Sequence, residues 1–376
     1  MDNSTATALA VRYRSWMASH EHVAWIAAPS VPSPSLKLPR YRPELVRLFT
    51  TTLFNDSLVP LKLGRFYPAQ VLKKVRPPIS PLFRVRHIDG EHFQADFNHP
   101  VALQEASLCC VRPSPVPAKA LERRENVLKW LGMEAPLPDR ITDFADTDRF
   151  ERSDATDDAQ FYTQARRVHH LDGTCRQRIE ALYDKVLPCN GVILDLMSGW
   201  RSHLPARAGK AVGLGMNAQE MADNPLLSEY LVHDLNRCAE LPFATGSFAA
   251  TVNTASVEYL VRPHAVLREV RRILRPGGVA IFAFSNRYFP SKAIKLWSRL
   301  HPIERLGWVV QSLHQAGFVR LHTYVEHGLA RAPDDRYTPQ LMSMDPLLAT
   351  WGYAPSPCPL EPAPCAAVTP DRICSE

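Results

Sequence analysis

The sequence predicts an α/β protein whose C-terminal half forms a Rossmann-like, doubly wound sheet, with a smaller α+β accessory region before it. Short apolar runs alternate with amphipathic helical patterns after about residue 175, which is typical of βαβ units around a parallel sheet. The first 115 residues instead contain a hairpin signal between two short alternating strands. Prolines also interrupt the chain often, with 33 prolines against 16 glycines in 376 residues.

The C-terminal elements follow one another in a regular order. Helices are predicted over 176–187 and 265–274 from their apolar periodicity. Five strands are predicted at 192–196, 211–214, 230–232, 249–255 and 278–284. Two further segments, 317–324 and 347–353, are expected to close the sheet as an antiparallel pair. We therefore place this domain at 175–355 and a disordered tail, rich in proline and cysteine, at 356–376.

Three parts are predicted before that domain. They are a flexible arm at 1–40, an accessory α+β region at 41–115, and a helical linker and lid at 116–174 with a helix around 118–132. Apolar residues at helical spacing predict a helix within 41–75. The dipeptide Asp89-Gly90 predicts a tight turn between strands at 83–86 and 92–97.

Composition narrows the classes of function. No apolar run reaches the roughly 18 residues that a membrane span needs. The net charge of +6 is scattered among acids, so it does not indicate a nucleic-acid-binding face. The eight cysteines include no C-x-x-C pair, and no metal site is predicted. Since the N-terminus lacks a secretory signal, we expect a cytoplasmic protein, with organelle targeting and oligomeric state left open.

The residues that follow the predicted strands are the first place to look for a ligand site. Ligands of an open parallel sheet bind beyond the carboxyl ends of the strands, near the point where the strand order reverses. The first of these turns reads D-L-M-S-G-W and contains one glycine, so it lacks the G-x-G-x-x-G of NAD-binding proteins. A P-loop is also absent from the sequence. The remaining strand ends lie at 215–217, 234–235, 254–258 and 285–287.

Several ordered motifs resemble class I S-adenosylmethionine-dependent methyltransferases of the small-molecule branch called type 11. They are V-I-L-D-L-M-S-G, A-V-G-L-G-M-N, H-D-L-N-x-x-x-x-L-P-F, G-S-F-A-A and L-R-E-V-R-R-I-L-R-P-G-G-V-A-I-F. W-R-S-H-L-P after the first strand and S-N-R-Y-F-P after the fifth resemble one subgroup of these enzymes. The resemblance implies S-adenosylmethionine as cofactor and methyl transfer to an unidentified small-molecule acceptor. From composition we expect no membrane partner, and a nucleic-acid partner is not favoured.

The resemblance also implies a set of cofactor-binding residues. Asp195 stands where these enzymes place the acid that orders the cofactor turn and its amino end, and Asp234 where they place the acid that accepts the adenine amino group. Position 215 is glycine where the family usually has an acid for the ribose diol, so Asn217 would supply a weaker neutral contact. The expected cofactor-binding residues are Asp195, Met197, Ser198, Gly199, Asn217, Asp234, Leu235 and Ser256.

The catalytic candidates precede the domain or follow its fourth strand. Methyl transfer requires alignment, and it requires a base only where the acceptor must lose a proton. The segment F-Y-T-Q-A-R-R-V-H-H-L-D at 161–172 is similar to F-Y-x-x-P-R-x-V-x-H-x-D of the subgroup. As a lid it would bring Tyr162, Arg166 or His170 to the acceptor, and Glu258 is another candidate base. A solvated surface helix is the alternative reading of this segment.

Two other functions remain open from the sequence. Met197, Gly215 and Ala249 depart from the family pattern and would also suit a non-catalytic binding or scaffold protein. The stretch H-F-Q-A-D-F-N-H-P-V-A-L at 92–103 resembles the V-x-V-D-F-N-H-P-L-A-G signature of FKBP-type prolyl isomerases. Because this resemblance covers only about 30 residues, a vestigial β-unit is favoured over isomerase or chaperone activity.

Overall fold

The computed structural model describes residues 5–13, 22–28, 38–75, 80–104, 106–115, 130–338 and 340–357. The helix predicted around 118–132 and the tail predicted at 356–376 lie almost entirely outside these residues.

The described residues form fourteen strands and six α-helices. The strands are β1 (Thr5–Tyr13), β2 (His22–Ala28), β3 (Val46–Thr50), β4 (Phe66–Pro68), β5 (Leu82–Ile88), β6 (His92–Asp96), β7 (Ala106–Pro115), β8 (Ile193–Leu196), β9 (Ala211–Gly215), β10 (Glu229–Val232), β11 (Phe248–Thr254), β12 (Leu274–Phe284), β13 (Val319–Glu326) and β14 (Leu347–Tyr353). The helices are α1 (Asp158–Phe161), α2 (Gly173–Val186), α3 (Ala218–Ala222), α4 (Pro263–Ile273), α5 (Lys295–Arg299) and α6 (Pro302–Gln315).

Ten strands form one large sheet in the order β10-β9-β8-β11-β12-β14-β13-β2-β1-β7. The five strands from β10 to β12 in this order are parallel to one another, and β14 is antiparallel to both β12 and β13. The chain runs outward from β8 to β9 and β10 on one side and continues with β11 and β12 on the other. The order therefore reverses between β8 and β11, which confirms the predicted Rossmann-like sheet and its antiparallel closing pair.

Helices cover both faces of this sheet, as a doubly wound fold requires. Leu194 and Leu196 of β8 pack into one core with the apolar faces of α4 and α6. Ile193 points to the opposite face and packs into a second core with α2. The period of two residues along β8 thus separates the two layers. Within the described ranges, no helix has the length and apolar character needed to cross a membrane.

The expected flexible arm at 1–40 is wrong where the structure describes it. β2 pairs in parallel with β13, β1 pairs antiparallel with β2, and β7 pairs antiparallel with β1. These three strands extend the large sheet beyond β13. The pairing depends on partners that are far away in sequence, which the local composition of the arm does not reveal.

Two helical expectations are also wrong. The stretch 41–75 instead forms β3, β4 and short 3-10 turns, with β3 paired to β6. Leu48, one of the apolar positions of the expected helix, is 62% exposed. From residue 130 to Asp172, α1 is a helix of four residues, and the rest of that stretch of the predicted linker is turn and coil. The predicted hairpin is confirmed: β5 and β6 pair antiparallel, and the Asp89 carboxylate accepts hydrogen bonds from the amides of Glu91 and His92.

The accessory region is a four-stranded sheet in the order β3-β6-β5-β4 with an aromatic core. The buried rings of this core belong to Phe54, Tyr67, Phe83, Phe93 and Phe97. The D-F-N segment after β6 has a local structural explanation, because the buried Asp96 carboxylate accepts hydrogen bonds from the backbone and side-chain amides of Asn98. These bonds hold the turn that leaves β6.

A buried ion pair joins the accessory region to α6. Arg65 Nε donates to Glu304 Oε1 at 2.8 Å, and the amide of Phe66 donates to the same oxygen at 3.1 Å. Arg65 and Glu304 are each 2% exposed, so water cannot solvate either charge if the other is removed. The accessory sheet is therefore fastened to the helix layer of the large sheet.

We expect Arg65→Met to lower the free energy of unfolding by about 3–5 kcal/mol, because it leaves a carboxylate buried without its counterion. The matched control is Lys210→Met, which breaks an exposed ion pair with Glu229 and should cost at most about 1 kcal/mol. Urea unfolding followed by tryptophan fluorescence measures both. Equal losses in the two variants would contradict the role given to the buried pair.

Candidate functional site

A cavity of about 190 Å³ opens at the carboxyl ends of β8, β9, β10 and β11. One wall consists of the turns that follow these strands. The opposite wall is the segment 158–171, which we call the lid. All of the predicted cofactor-binding residues line this cavity: Asp195, Met197, Ser198, Gly199, Asn217, Asp234, Leu235 and Ser256. Tyr162 and His170 line it from the lid, whereas Glu258 is not among its lining residues.

The turn after β8 is organised by Asp195. Its Oδ2 accepts hydrogen bonds from the hydroxyls of Ser198, at 2.7 Å, and Ser202. Burial raises the pKa of Asp195 to about 6, although both hydroxyls stabilise the carboxylate and lower it. Met197 has a left-handed backbone with φ of 61°, a conformation that favours glycine. The turn therefore keeps the geometry of a glycine position without the glycine.

The glycine at position 215 is required by the approach of this turn to β9. The amide of Ser198 donates to the carbonyl of Leu214 at 2.9 Å, which draws the turn onto the strand end. A Cβ atom at Gly215 would lie 2.2 Å from the carbonyl oxygen of Ser198. An acidic side chain therefore cannot occupy this position while the turn keeps its present path.

Asn217 and Glu220 connect the start of α3 to the lid. Asn217 caps the helix by accepting a hydrogen bond from the amide of Glu220, and its Nδ2 donates to the lid carbonyls of Tyr162 and Thr163. The structure thus engages the side chain of Asn217 with the lid, and its expected contact with the ribose stays a prediction. Glu220 lines the cavity, and its Oε1 accepts a hydrogen bond from the amide of Arg166 at 2.7 Å. Its Oε2 lies 3.0 Å from the point where a Cβ of Gly199 would stand.

The turn after β10 presents Asp234 and Leu235 to the cavity. Asp234 Oδ1 accepts hydrogen bonds from the amides of Asn236 and Arg237 at 2.8 and 3.3 Å. Leu235 is buried beside it. After β11, the hydroxyl of Ser256 donates to the carbonyl of Thr254 at 3.0 Å. The turn after β10 therefore places a carboxylate, that of Asp234, next to the apolar side chain of Leu235 in the cavity wall.

Buried charges hold the lid in place at its first residue. Asp158 accepts two hydrogen bonds from Arg152 Nη1, at 2.9 and 2.8 Å, and one from Asn236 Nδ2 at 2.9 Å. Lys292, which is fully buried, lies 3.4 Å from the same carboxylate. Near the other end of the lid, Trp200 Nε1 donates to the carbonyl of Val168 at 3.2 Å. The lid therefore contacts the strand-end wall at both ends.

The three catalytic candidates have different protonation properties. Burial raises the pKa of Tyr162 well above its ordinary value, assisted by the charges of Asp158 and Glu258, so its hydroxyl stays protonated. Burial lowers the pKa of His170, so its imidazole is neutral at neutral pH. Burial raises the pKa of Glu258 to about 7, and neither of its carboxylate oxygens has a hydrogen-bond partner.

Sequence reasoning overlooked several residues of this cavity. Asp158, Arg176, Arg201 and Glu220 all line it. A signal for Glu220 was present, since an Asn followed three residues later by Glu is the pattern of a helix capping box. The other three come from separate segments of the chain, and no local pattern marks them.

A sequence family described as a methyltransferase domain matches residues 209–282, about a fifth of the chain. The matched stretch begins just before β9 and ends within β12, so it includes the turns after β9, β10 and β11. Comparison with curated proteins found no match.

Solved structures with similarity to the chain also carry methyltransferase descriptions. One is a chain of the complex between the Haloferax volcanii Trm112 methyltransferase activator and a putative methyltransferase, with 21% identity, covering 49% of this chain and 92% of its own, at a TM-score of 0.34. Another is a possible histamine N-methyltransferase from Thermotoga maritima, with 16% identity, covering 48% of this chain and 91% of its own, at a TM-score of 0.34. Likenesses at these scores support no statement about acceptor or partner.

The matched domain and the topology around the cavity agree with each other. The match spans three of the four strand ends that open onto the cavity. The strand order places that cavity where the sheet reverses direction, between β8 and β11. Residues 209–282 therefore match a methyltransferase domain, and the sheet around them has the Rossmann-like α/β topology of class I methyltransferases.

Proposed function

We propose that the cavity between the strand ends and the lid binds S-adenosylmethionine, and that a small-molecule acceptor is methylated against the lid. The observation that supports this most is that eight residues, expected from four separate strand ends, line one cavity. The cofactor supplies a methyl group already activated on a positively charged sulfur. The protein then has mainly to align the acceptor and exclude water.

The chemistry of the lining residues fits this cofactor. Asp195 offers a buried carboxylate for an ammonium group. Asp234 offers a hydrogen-bond acceptor for a nucleobase, and Leu235 beside it offers an apolar surface for the ring. Gly215 lines the cavity with its backbone, because the carbonyl of Ser198 takes the space of a side chain. An adenosine bearing an amino-acid end has the donors and the apolar face that these groups require.

Glu220 is our candidate for the ribose diol, in place of the acid that Gly215 cannot supply. Its Oε2 lies over the first turn, while its Oε1 is held by the amide of Arg166. A carboxylate can accept two hydrogen bonds from a vicinal diol, one on each oxygen. Asn217 has a single acceptor oxygen, which already accepts from the amide of Glu220. The acid is thereby moved from the strand end into the first turn of α3.

His170 is our candidate for the base where the acceptor must lose a proton. Its neutral imidazole lines the cavity and rests against the ring of Phe289, with centroids 5.2 Å apart. Tyr162, which stays protonated, can donate a hydrogen bond to the acceptor but cannot remove its proton. Glu258 is fully buried behind the wall, so we no longer place it in contact with the acceptor.

The two alternatives from the sequence gain no specific support. The departure at Gly215, which favoured a scaffold, is explained by the close approach of Ser198 and is offset by Glu220. The FKBP-like segment has a local structural role, because the hydrogen bonds from Asn98 to Asp96 hold the turn that leaves β6. Neither observation requires a second activity.

We expect Glu220→Gln to weaken binding of S-adenosylhomocysteine by about 10- to 100-fold, because a hydrogen bond to a charged group contributes roughly 1.5–3 kcal/mol. The variant keeps an acceptor oxygen for the amide of Arg166, so the lid tether is retained. Calorimetric titration measures the affinity. Glu229→Gln, which removes an equal charge at an exposed position outside the cavity, is the matched control. Unchanged affinity in folded Glu220→Gln protein would contradict the assignment to the diol.

We expect the affinity for S-adenosylhomocysteine to fall as the pH decreases through about 6, by nearly tenfold per unit below that value. The reason is that only ionised Asp195 attracts the ligand's ammonium group, and the pKa of Asp195 is about 6. Calorimetry at pH 5, 6, 7 and 8 measures this, and Asp195→Asn should bind weakly with no step near pH 6.

The same pKa predicts a second effect in the ligand-free protein. Because the pKa of folded Asp195 lies above its ordinary value of 3.8, the folded state holds a proton that the unfolded state releases between about pH 4 and 6. The free energy of unfolding should therefore decrease as the pH rises through this window. An identical pH dependence in Asp195→Asn, for binding and for unfolding, would rule out this role of Asp195.

A further inference from the structure

Two arginines and two histidines meet at one corner of the cavity, around Trp200. Arg176 Nη1 lies 3.2 Å from His169 Nε2, and the His169 ring packs against the Trp200 ring with centroids 4.8 Å apart. The Arg201 guanidinium lies 4.3 Å from the centre of the Trp200 ring. His203 also lines the cavity. We call these four basic side chains the cationic corner: Arg176, Arg201, His169 and His203.

Within the described residues, no carboxylate lies within ion-pair distance of either arginine of the cationic corner. Arg176 Nε donates to the carbonyl of Leu171, and Arg201 Nη1 donates to the carbonyls of Trp200 and Asp223. The Asp223 carboxylate is held by Arg167 at 2.5 Å. Among the residues that the structure describes, the two arginines thus hydrogen bond only to neutral groups.

Two other arginines do have carboxylate partners. Arg178, two residues after Arg176 in α2, meets the carboxylate of Glu326 at 2.8 Å, and Arg152 meets Asp158.

The basic groups also disfavour protonation of the histidines. Burial lowers the pKa of His203 to about 4, with a contribution from Arg176, and burial together with Arg176 and Arg201 lowers the pKa of His169.

We propose that the cationic corner binds a small oxyanion, a carboxylate or a phosphate, carried by a ligand in the cavity. The inference deepens the proposed function and rests on it. Planar guanidinium groups suit such anions because they present paired donors, and an anion would supply the charge that the corner lacks. The corner adjoins the cofactor turn, since Ser202, between Arg201 and His203, donates to Asp195.

Two sources can supply the anion: the amino-acid end of the cofactor, or an acidic acceptor. The first arm of the test compares S-adenosylhomocysteine with 5′-methylthioadenosine, which lacks the amino-acid end, by calorimetry on the full chain. If the cofactor supplies the anion, Arg176→Gln and Arg201→Gln each weaken the binding of S-adenosylhomocysteine about tenfold. Each changes the affinity for 5′-methylthioadenosine less than twofold. Arg176→Lys should restore part of the affinity, because it restores the charge.

The second arm follows thermal unfolding with inorganic phosphate as probe, in protein with and without saturating S-adenosylhomocysteine. If an acidic acceptor supplies the anion, phosphate raises the unfolding midpoint of the saturated wild-type protein but not of either variant. Lys210→Gln, which removes the same charge outside the cavity, should behave as wild type in both arms.

The proposal is wrong if both variants match wild type in both arms, or if they weaken the binding of the two nucleosides equally. The latter result would indicate a structural effect on the lid. Arg201 is exposed, so its variant is expected to keep the fold. If the wild-type protein binds neither nucleoside, the proposed function fails. Phosphate added to the ligand-free protein still tests the cationic corner. A phosphate-induced rise of the unfolding midpoint that is lost in both variants supports the corner, whereas an equal rise in all three proteins, or no rise in any, overturns it.

Discussion

The close approach of the β8 turn to the end of β9 is the constraint on which the site depends. The carbonyl of Ser198 occupies the space that any side chain at position 215 would need. The same approach forces Met197 into a left-handed conformation, which costs a residue with a side chain about 1–2 kcal/mol. In return, the buried Asp195 carboxylate and its two hydroxyl partners face the cavity. Position 215 is thus a steric consequence of the turn, and it does not by itself indicate a decayed site.

Because the end of β9 cannot supply an acid, two further carboxylates of the cavity come from outside the strand ends. Asp158 belongs to the lid, where Arg152 and Lys292 neutralise it, and it serves to anchor that segment. Glu220 stands at the start of α3, with one oxygen bound to the lid backbone. The lid is therefore part of the cavity wall.

The sequence was informative wherever structure follows local patterns. The strands from β8 to β12 and helices α2 and α4 appear as apolar runs and periodic segments, so their order and the site at their carboxyl ends could be predicted. β1 and β2 could not, since they are stabilised by pairing with β13 and β7, far away in sequence. The cationic corner was missed for the same reason: its members come from the lid, from α2 and from the turn after β8.

Residue types alone did not predict the direction of two polar side chains. Asn217 follows a strand end, as a ligand-binding residue would, but its amide is used to hold the lid. Glu258 follows β11 directly, yet the 3-10 turn there directs its carboxylate into the interior, where burial raises its pKa to about 7. In both cases the position relative to the strand was predictable, and the direction of the side chain depended on tertiary packing.

The most direct test of this account is a calorimetric titration of the wild-type protein with S-adenosylmethionine and, separately, with S-adenosylhomocysteine. The account predicts that each binds with micromolar affinity and a stoichiometry of one per chain. If folded protein shows no heat of binding for either ligand up to millimolar concentration, the cavity is not the cofactor site proposed here.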